Sequence, residues 1–225
     1  MDFSPVLISL KTASLSIVIT FFLGLAAGRM VYAMRNERIK IIMDGIFTLP
    51  MVLPPTVAGF FLLYMFGVKR PIGEFLLNQF ALKITFTWWA TVLAAVIISF
   101  PLMYRSARGA LEQVDINLVY AGRTLGMSEW KIFRRIILPN ALPGILSGAV
   151  LSFARGLGEF GATAMIAGNI AGKTRTLPMA VYSAVAAGDM NLAFRYVIIL
   201  VLISFLIIAF MNYLSLNKSR NRKNN

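Results

Sequence analysis

The chain contains no cysteine and no histidine among its 225 residues. Their absence excludes disulfides, thiol nucleophiles and imidazole bases, and with them most transition-metal sites. Charge is also scarce, since only 14% of the residues are charged and nine of them are acidic. The acidic residues form no paired-carboxylate pattern, and a Ser-His-Asp triad is impossible. We therefore expect a protein that is not an enzyme and holds no metal or cofactor of its own.

Apolar residues, in contrast, are abundant at 58% of the chain, and several apolar runs reach the ~20 residues that a membrane-crossing helix needs. This composition predicts an all-α polytopic membrane protein whose residues 1–216 form one transmembrane domain. The predicted spans are 12–33, 46–66, 84–104, 143–167 and 196–216. A short helix over 177–187, beginning at Pro178, is a candidate sixth span. The N-terminus lacks a basic region and a small-residue cleavage site, so we expect the first apolar run to be retained.

The formal net charge of +13 would suggest nucleic acid binding in a soluble protein. In a membrane protein, basic residues instead mark the cytoplasmic loops, so we expect no nucleic acid partner. Fourteen of the 22 basic residues follow the first span, the third span or the last span, and seven lie on the other side. The distribution predicts an external N-terminus and a cytoplasmic C-terminus. Residues 105–142 then form a large cytoplasmic loop, 168–194 an external loop, and 217–225 a basic, disordered cytoplasmic tail.

The cytoplasmic loop has the pattern of a short helix, a glycine turn and a second helix. Gly126 can adopt a left-handed conformation without steric cost, and Ser128 can cap the helix that follows. Leu138-Pro139 is expected to end that second helix, because the residue before a proline disfavours helical angles. Such a hairpin would be a rigid element on which a partner protein can dock. The alternative is an ordinary amphipathic loop.

The same segment resembles the EAA loop of permease subunits of ATP-binding-cassette (ABC) importers, with the pattern E-A-A-x3-G-x9-I-x-L-P. Ala121, Gly126, Ile136 and Leu138-Pro139 match at the family spacing, whereas Tyr120 replaces Glu and Gly122 replaces Ala. The resemblance implies a coupling helix that docks on an ATPase subunit, within residues 117–139. The residues it implicates are Tyr120, Ala121, Gly122, Arg123, Thr124, Leu125, Gly126, Met127, Ser128, Ile136, Leu138 and Pro139.

Further segments at 49–60, 152–163, 167–170 and 174–178 resemble molybdate permeases of this family. The resemblance implies a type I ABC importer fold in a bacterial cytoplasmic membrane. It also implies a homodimer in lipid, two ATP-binding subunits that hold ATP and magnesium, and an extracytoplasmic oxyanion-binding protein. Molybdate would then cross by alternating access. Tungstate, sulfate or thiosulfate are alternative substrates, and a gradient-driven anion transporter is an alternative class.

Two places in the predicted spans are candidates for the translocation path or gate. Pro50, Pro54 and Pro55, with Thr56 after them, interrupt the backbone hydrogen bonds near the start of the second span, where they either bend a helix along the path or mark a helix that starts after Pro55. Arg155 and Glu159, with Gly158 between them, form an i, i+4 charged pair in the fourth span. Charges in a membrane are costly, so they pair and face a protein interior or a cavity. The pair is either a structural salt bridge or part of the anion route, and we predict that Arg155→Ala impairs transport.

Glycines give two further patterns. Gly144 and Gly148 have the GxxxG spacing, which favours close helix packing and alternatively a surface that slides during gating. Residues 168–174 look like a phosphate-binding P-loop, but only three residues separate the glycines where the motif needs four. The chain is therefore expected to depend on another subunit for ATP.

Overall fold

A computed structural model of the protein describes residues 2–223. Within them the chain is all-α, as predicted, and one π-helical turn over Phe133–Ile137 interrupts the α-helices. The helices are α1 (Ser4–Tyr32), α2 (Glu37–Val52), α3 (Pro55–Phe66), α4 (Pro71–Phe80), α5 (Trp88–Glu112), α6 (Ile116–Thr124), α7 (Glu129–Ile132), α8 (Leu138–Leu157), α9 (Gly161–Ala167), α10 (Leu177–Ala186) and α11 (Met190–Lys223).

Four helices in the described part of the chain are long and apolar enough to cross a membrane: α1, α5, the continuous helix Glu129–Leu157, and α11. The bent pair α2–α3 makes a fifth span if it is counted as one. The prediction of about five spans is thus confirmed. The helix α10 has 10 residues and covers about 15 Å, half of the hydrocarbon core, so it does not add a sixth span. Its proline lies in the first turn, as the sequence predicted.

The helices α1, α5 and α8 form the centre of the molecule, and α5 is the most enclosed of the spans. Hydroxyl pairs join α1 to α5, with Thr12 2.9 Å from Thr91 and Thr20 3.1 Å from Ser99. All four residues are buried, so each hydroxyl has its partner inside the protein and none is left to face lipid.

The close approach of α8 to α5 depends on the two glycines of the GxxxG pattern. A Cβ atom at Gly144 would lie 2.7 Å from the Cβ of Ala110, and one at Gly148 would overlap the side chain of Ser106. Any larger residue would push the helices apart. The interpretation of this pattern as tight packing is confirmed.

The structure corrects the second predicted span, which is two helices and not one. The helices α2 and α3 meet at an angle of 108° across Leu53 and Pro54. Pro55 opens α3 in its first turn, where a missing N–H costs no hydrogen bond. Pro50, however, lies inside α2. The prolines thus mark the start of a helix, and a second helix precedes that start.

The structure also corrects both ends of the fourth predicted span. This helix ends at Leu157, and α9 begins at Gly161, so 143–167 is not one helix. At the other end, Pro139 does not terminate the preceding helix, because the chain widens into the π-helical turn Phe133–Ile137 and continues as α8. The side chain of Asn140 donates to the carbonyl of Ile136 at 2.8 Å and satisfies an acceptor within this turn.

The remaining boundaries differ mainly in length. The helix α5 continues through Glu112, so the predicted loop 105–142 starts as a helix. The last helix continues through Lys223, although 217–225 was predicted to be disordered. Residues 224 and 225 lie outside the described part of the chain.

Candidate functional site

The predicted coupling segment forms a helical hairpin of α6, a glycine turn and α7, which we call the coupling hairpin. Asp115 caps α6 by accepting from the N–H of Asn117 at 2.9 Å. Gly126 has φ +70°, the left-handed conformation that glycine adopts without strain. Ser128 caps α7 by accepting from the N–H of Lys131. The local features inferred from the sequence are therefore confirmed.

The two arms of the coupling hairpin are joined by an ion pair and by packing. Arg123 donates to both carboxylate oxygens of Glu129, at 2.7 and 3.2 Å. These hydrogen bonds raise the pKa of the Arg123 guanidinium. Gly122 packs against Ile132 and Ile136, and a Cβ at this position would lie 2.9 Å from the Cδ1 of Ile136. The departure from the family pattern at this position thus coincides with a close helix contact.

The coupling hairpin is continuous with the core of the membrane domain. Val119 and Ile132 are buried in the same cluster as Met103, Ala107 and Leu111 of α5. A displacement of the hairpin therefore moves α5 and α8 with it, because close-packed side chains leave no room for independent movement.

Several large side chains of the coupling hairpin are mostly exposed. Leu125 at the turn is 80% exposed, and Tyr120 and Trp130 are more than half exposed. Trp130, which the sequence analysis did not select, stacks with Phe133, and the guanidinium of Arg29 lies over both rings. The Trp-x-x-Phe spacing, which places both rings on one helical face, is the signal that would have found it. The hairpin thus presents an apolar tip on a segment otherwise rich in basic residues.

The candidate gate residues lie where the two broken spans meet. The helix α3 packs on α9, and a Cβ at Gly59 would lie 2.6 Å from the Cα of Ala162. Pro55 and Thr56 lie against Gly161, within 3.0 to 3.3 Å of a Cβ at that position. The structure thereby brings the start of α3 together with the start of α9.

Glu159 connects this junction to α8. Its carboxylate is 2% exposed, and Oε1 accepts from the N–H of Ala162 at 2.7 Å, which caps α9. The Nη1 of Arg155 lies 2.8 Å from Oε2, but off the direction of a hydrogen bond. Oε2 therefore has an opposite charge beside it and no hydrogen-bond donor. The side chain of Arg155 is 34% exposed, so this charge is partly accessible, whereas the carboxylate beside it is buried.

Pro54 and Gly158 are both exposed, each at the break of its own span. The structure places the predicted path residues in one region formed by the two breaks. The hairpin residues form a second region, reached from the first along the helix Glu129–Leu157.

Comparison with known proteins decides the family. Residues 17–220 match the model of the "Binding-protein-dependent transport system inner membrane component" family. The chain belongs to this family.

Relatives within the family have named substrates. The chain is 42% identical over 209 residues to the putative molybdenum transport system permease protein YvgM of Bacillus subtilis, covering 93% of this chain and 92% of that one. It is 44% identical over 182 residues to the molybdenum transport system permease protein ModB of Escherichia coli K12, covering 81% and 79%. The sulfate transport system permease protein CysT of Salmonella typhimurium is 38% identical over 143 residues, which cover 64% of this chain and 51% of CysT.

The fold is that of solved importers. A chain of the MetNI methionine ABC transporter, in an inward-facing conformation, superposes with a TM-score of 0.76 at 20% identity and covers 95% of this chain and 94% of that chain. The predicted type I importer permease fold is confirmed. As a binding-protein-dependent transport permease, the chain is a membrane-embedded transport subunit.

Proposed function

We propose that two copies of this chain form the membrane pathway of an ATP-driven importer for molybdate. The coupling hairpin carries the proposal, because an exposed apolar tip on a rigidly attached helical pair is suited to docking in a groove of another protein. The molybdenum permeases YvgM and ModB, at 42% and 44% identity, support the substrate.

The partner in this proposal is a pair of ATP-binding subunits, each holding ATP and magnesium. The chain has no P-loop, so hydrolysis belongs to that partner. Closure of the ATPase pair would draw the two coupling hairpins together and rotate the helices Glu129–Leu157 attached to them. An extracytoplasmic binding protein would deliver the anion on the opposite side of the membrane, where the N-terminus lies in this topology. Alternating access then follows from contacts that differ between the two states.

The junction of α3 with α9 supports a gate in this mechanism. Both spans are broken there, and unpaired backbone groups in a membrane are stable only where protein or water reaches them. Arg155, whose side chain is partly exposed and lies beside Glu159, is suited to attracting an oxyanion without binding it permanently.

The decisive experiment is reconstitution of the chain in liposomes with its ATPase and binding protein. ATP hydrolysis is measured with the binding protein empty, and loaded with molybdate, tungstate or sulfate. We expect stimulation by molybdate. Stimulation by sulfate alone would be consistent with an importer but would contradict the molybdate assignment. Sulfate is included because the chain is also similar to the sulfate permease CysT. Uptake driven by an ion gradient without any ATPase would contradict the class.

The docking role of the coupling hairpin has its own test. We expect Leu125→Asp to abolish co-purification of the ATPase, because it places a charge on the exposed apolar tip. Phe80→Asp is the matched control, since Phe80 is also exposed and apolar but follows α3, on the side away from the hairpin. Equal retention of the ATPase by both variants would contradict the docking assignment.

A further inference from the structure

A cavity of about 470 Å³ lies at the end of the molecule opposite to the coupling hairpin. It is formed by the last turns of α3, the connection to α4 and the segment that precedes α5. Its polar lining consists mainly of Lys69, Arg70 and Lys83, together with Tyr64 and Thr85. We call it the basic cavity. The proposed function assigns no role to it.

The charge of the basic cavity has a single sign. Lys69, Arg70 and Lys83 are three of the seven basic residues on this side of the protein, and no acidic residue lines the cavity. Within residues 2–223, none of the three forms a salt bridge. Like charges gathered in a concave surface repel each other and raise the local positive potential. An anion bound between them removes that repulsion.

The position of Arg70 suits an oxyanion in particular. Its guanidinium carbon lies 4.0 Å from the centre of the Tyr64 ring. A guanidinium held on an aromatic face keeps the N–H groups of its edge directed outwards, where they can donate in pairs to two oxygens of one anion.

We propose that the basic cavity is a binding site for a doubly charged tetrahedral oxyanion, which the anion occupies between its release from the binding protein and its entry into the pathway. The inference rests on the proposed function for the direction of movement. The binding of the anion itself depends only on the cavity. Two lysines and one arginine supply the charge, and Arg70 supplies a pair of donors.

The test is equilibrium dialysis of the purified permease–ATPase complex against radioactive molybdate, without any binding protein. We expect saturable binding that weakens as sodium chloride rises, because screening shortens the reach of exposed charges. In the double variant Lys69→Gln/Lys83→Gln we expect binding weakened about tenfold or more, since removal of two charges near an anion costs at least one factor of ten at typical surface dielectric.

The matched control is Lys173→Gln/Arg195→Gln, which removes two positive charges from the same side but away from the basic cavity. We expect this variant to bind like the wild type. Equal weakening in both double variants would assign the effect to overall charge and overturn the proposal. The substituted lysines are exposed, so both variants should fold, and thermal unfolding checks this.

A second readout separates this proposal from the proposed function. Uptake by the full importer is measured at limiting amounts of loaded binding protein. Reduced uptake in Lys69→Gln/Lys83→Gln alone supports the site. Normal uptake in that variant, together with no saturable molybdate binding by the wild type in dialysis, overturns the site and leaves the importer intact. Absence of ATP-dependent uptake in the wild type refutes the importer function, while dialysis still tests whether the basic cavity binds molybdate.

A bound lipid is the remaining outcome. Phospholipid retained by the wild type and lost in the variant, without molybdate binding, would assign the cavity to a lipid phosphate and overturn the proposal.

Discussion

Among single residues, Glu159 joins more elements than any other charged side chain in the candidate gate. One of its oxygens caps α9 and the other lies beside Arg155 of α8. We expect Glu159→Ala to lower the stability of the permease by about 1–2 kcal/mol through loss of the cap, with a further loss from the unpaired arginine. Glu159→Gln keeps an acceptor for the N–H of Ala162 and should be milder. Thermal unfolding in detergent measures both, and an equal effect of the two variants would contradict a capping role.

Arg155 has a different expected phenotype, because its charge is partly accessible. We expect Arg155→Met to fold and assemble with the ATPase but to transport anions more slowly. The double variant Arg155→Met/Glu159→Gln distinguishes the two roles of the pair. Recovery of stability without recovery of uptake would assign the arginine to the anion route. Recovery of both would assign it to structure alone, and the double-mutant cycle gives the coupling energy.

Close helix contacts give a further prediction at this scale. A Cβ at Gly59 would lie 2.6 Å from the backbone of Ala162, which cannot move without displacing α9. We expect Gly59→Ala to lower the unfolding temperature and to disturb the α3–α9 junction. The control is Gly45→Ala, because Gly45 lies in α2 with nothing within 4 Å of a Cβ. In a helix, that change should be neutral or stabilise by up to about 1 kcal/mol. Equal unfolding temperatures in the two variants would contradict the packing argument.

At the scale of elements, the sequence predicts which helices and turns are present, because the length of an apolar run and the chemistry of a turn are local properties. The glycine turn of the coupling hairpin follows from Gly126 and Ser128, and both behave as their chemistry predicts. The break after Leu157 was missed because Arg155 and Glu159 have the i, i+4 spacing of a charged pair on one continuous helix, and the glycines between and after them are compatible with close helix packing. It is stabilised by the local hydrogen bond from Ala162 to Glu159 and by packing of Gly161 against Pro55 and Thr56, which are distant in sequence.

The π-helical turn illustrates the same limit. A proline after an apolar residue predicts the end of a helix, yet α8 continues through Pro139. The outcome depends on the wider turn Phe133–Ile137 and on Asn140, whose side chain accommodates the local change in hydrogen bonding. We expect Pro139→Ala to permit a regular α-helix and to alter the angle of the coupling hairpin. Basal ATP hydrolysis should then respond less to loaded binding protein. An unchanged stimulation ratio would show that the turn has no part in coupling.

For the whole molecule, the proposed dimer would place a second copy against the exposed apolar surface of α2. No residue of α2 is buried, although Ile42 and Ile46 are large and apolar. Because the native chain has no cysteine, single cysteines can be introduced without background. We expect Ile46→Cys to form a disulfide-linked dimer in membranes on mild oxidation. Val201→Cys on the lipid-exposed face of α11 is the control. Cross-linking of Val201→Cys alone would place the interface on α11.

The unbroken helix from Glu129 to Leu157 has a mechanical consequence. Its 29 residues extend about 44 Å, from the start of α7 beside the glycine turn of the coupling hairpin to the break before Glu159. A tilt of about 5° at one end of a rod of this length displaces the other end by about 4 Å, which exceeds the diameter of a water molecule. In the proposed importer, this helix would convert a slight reorientation of the ATPase surface into a larger displacement at the junction of α3 with α9. A stiffer or a more flexible helix would change how far its gate end moves for a given tilt at the hairpin end.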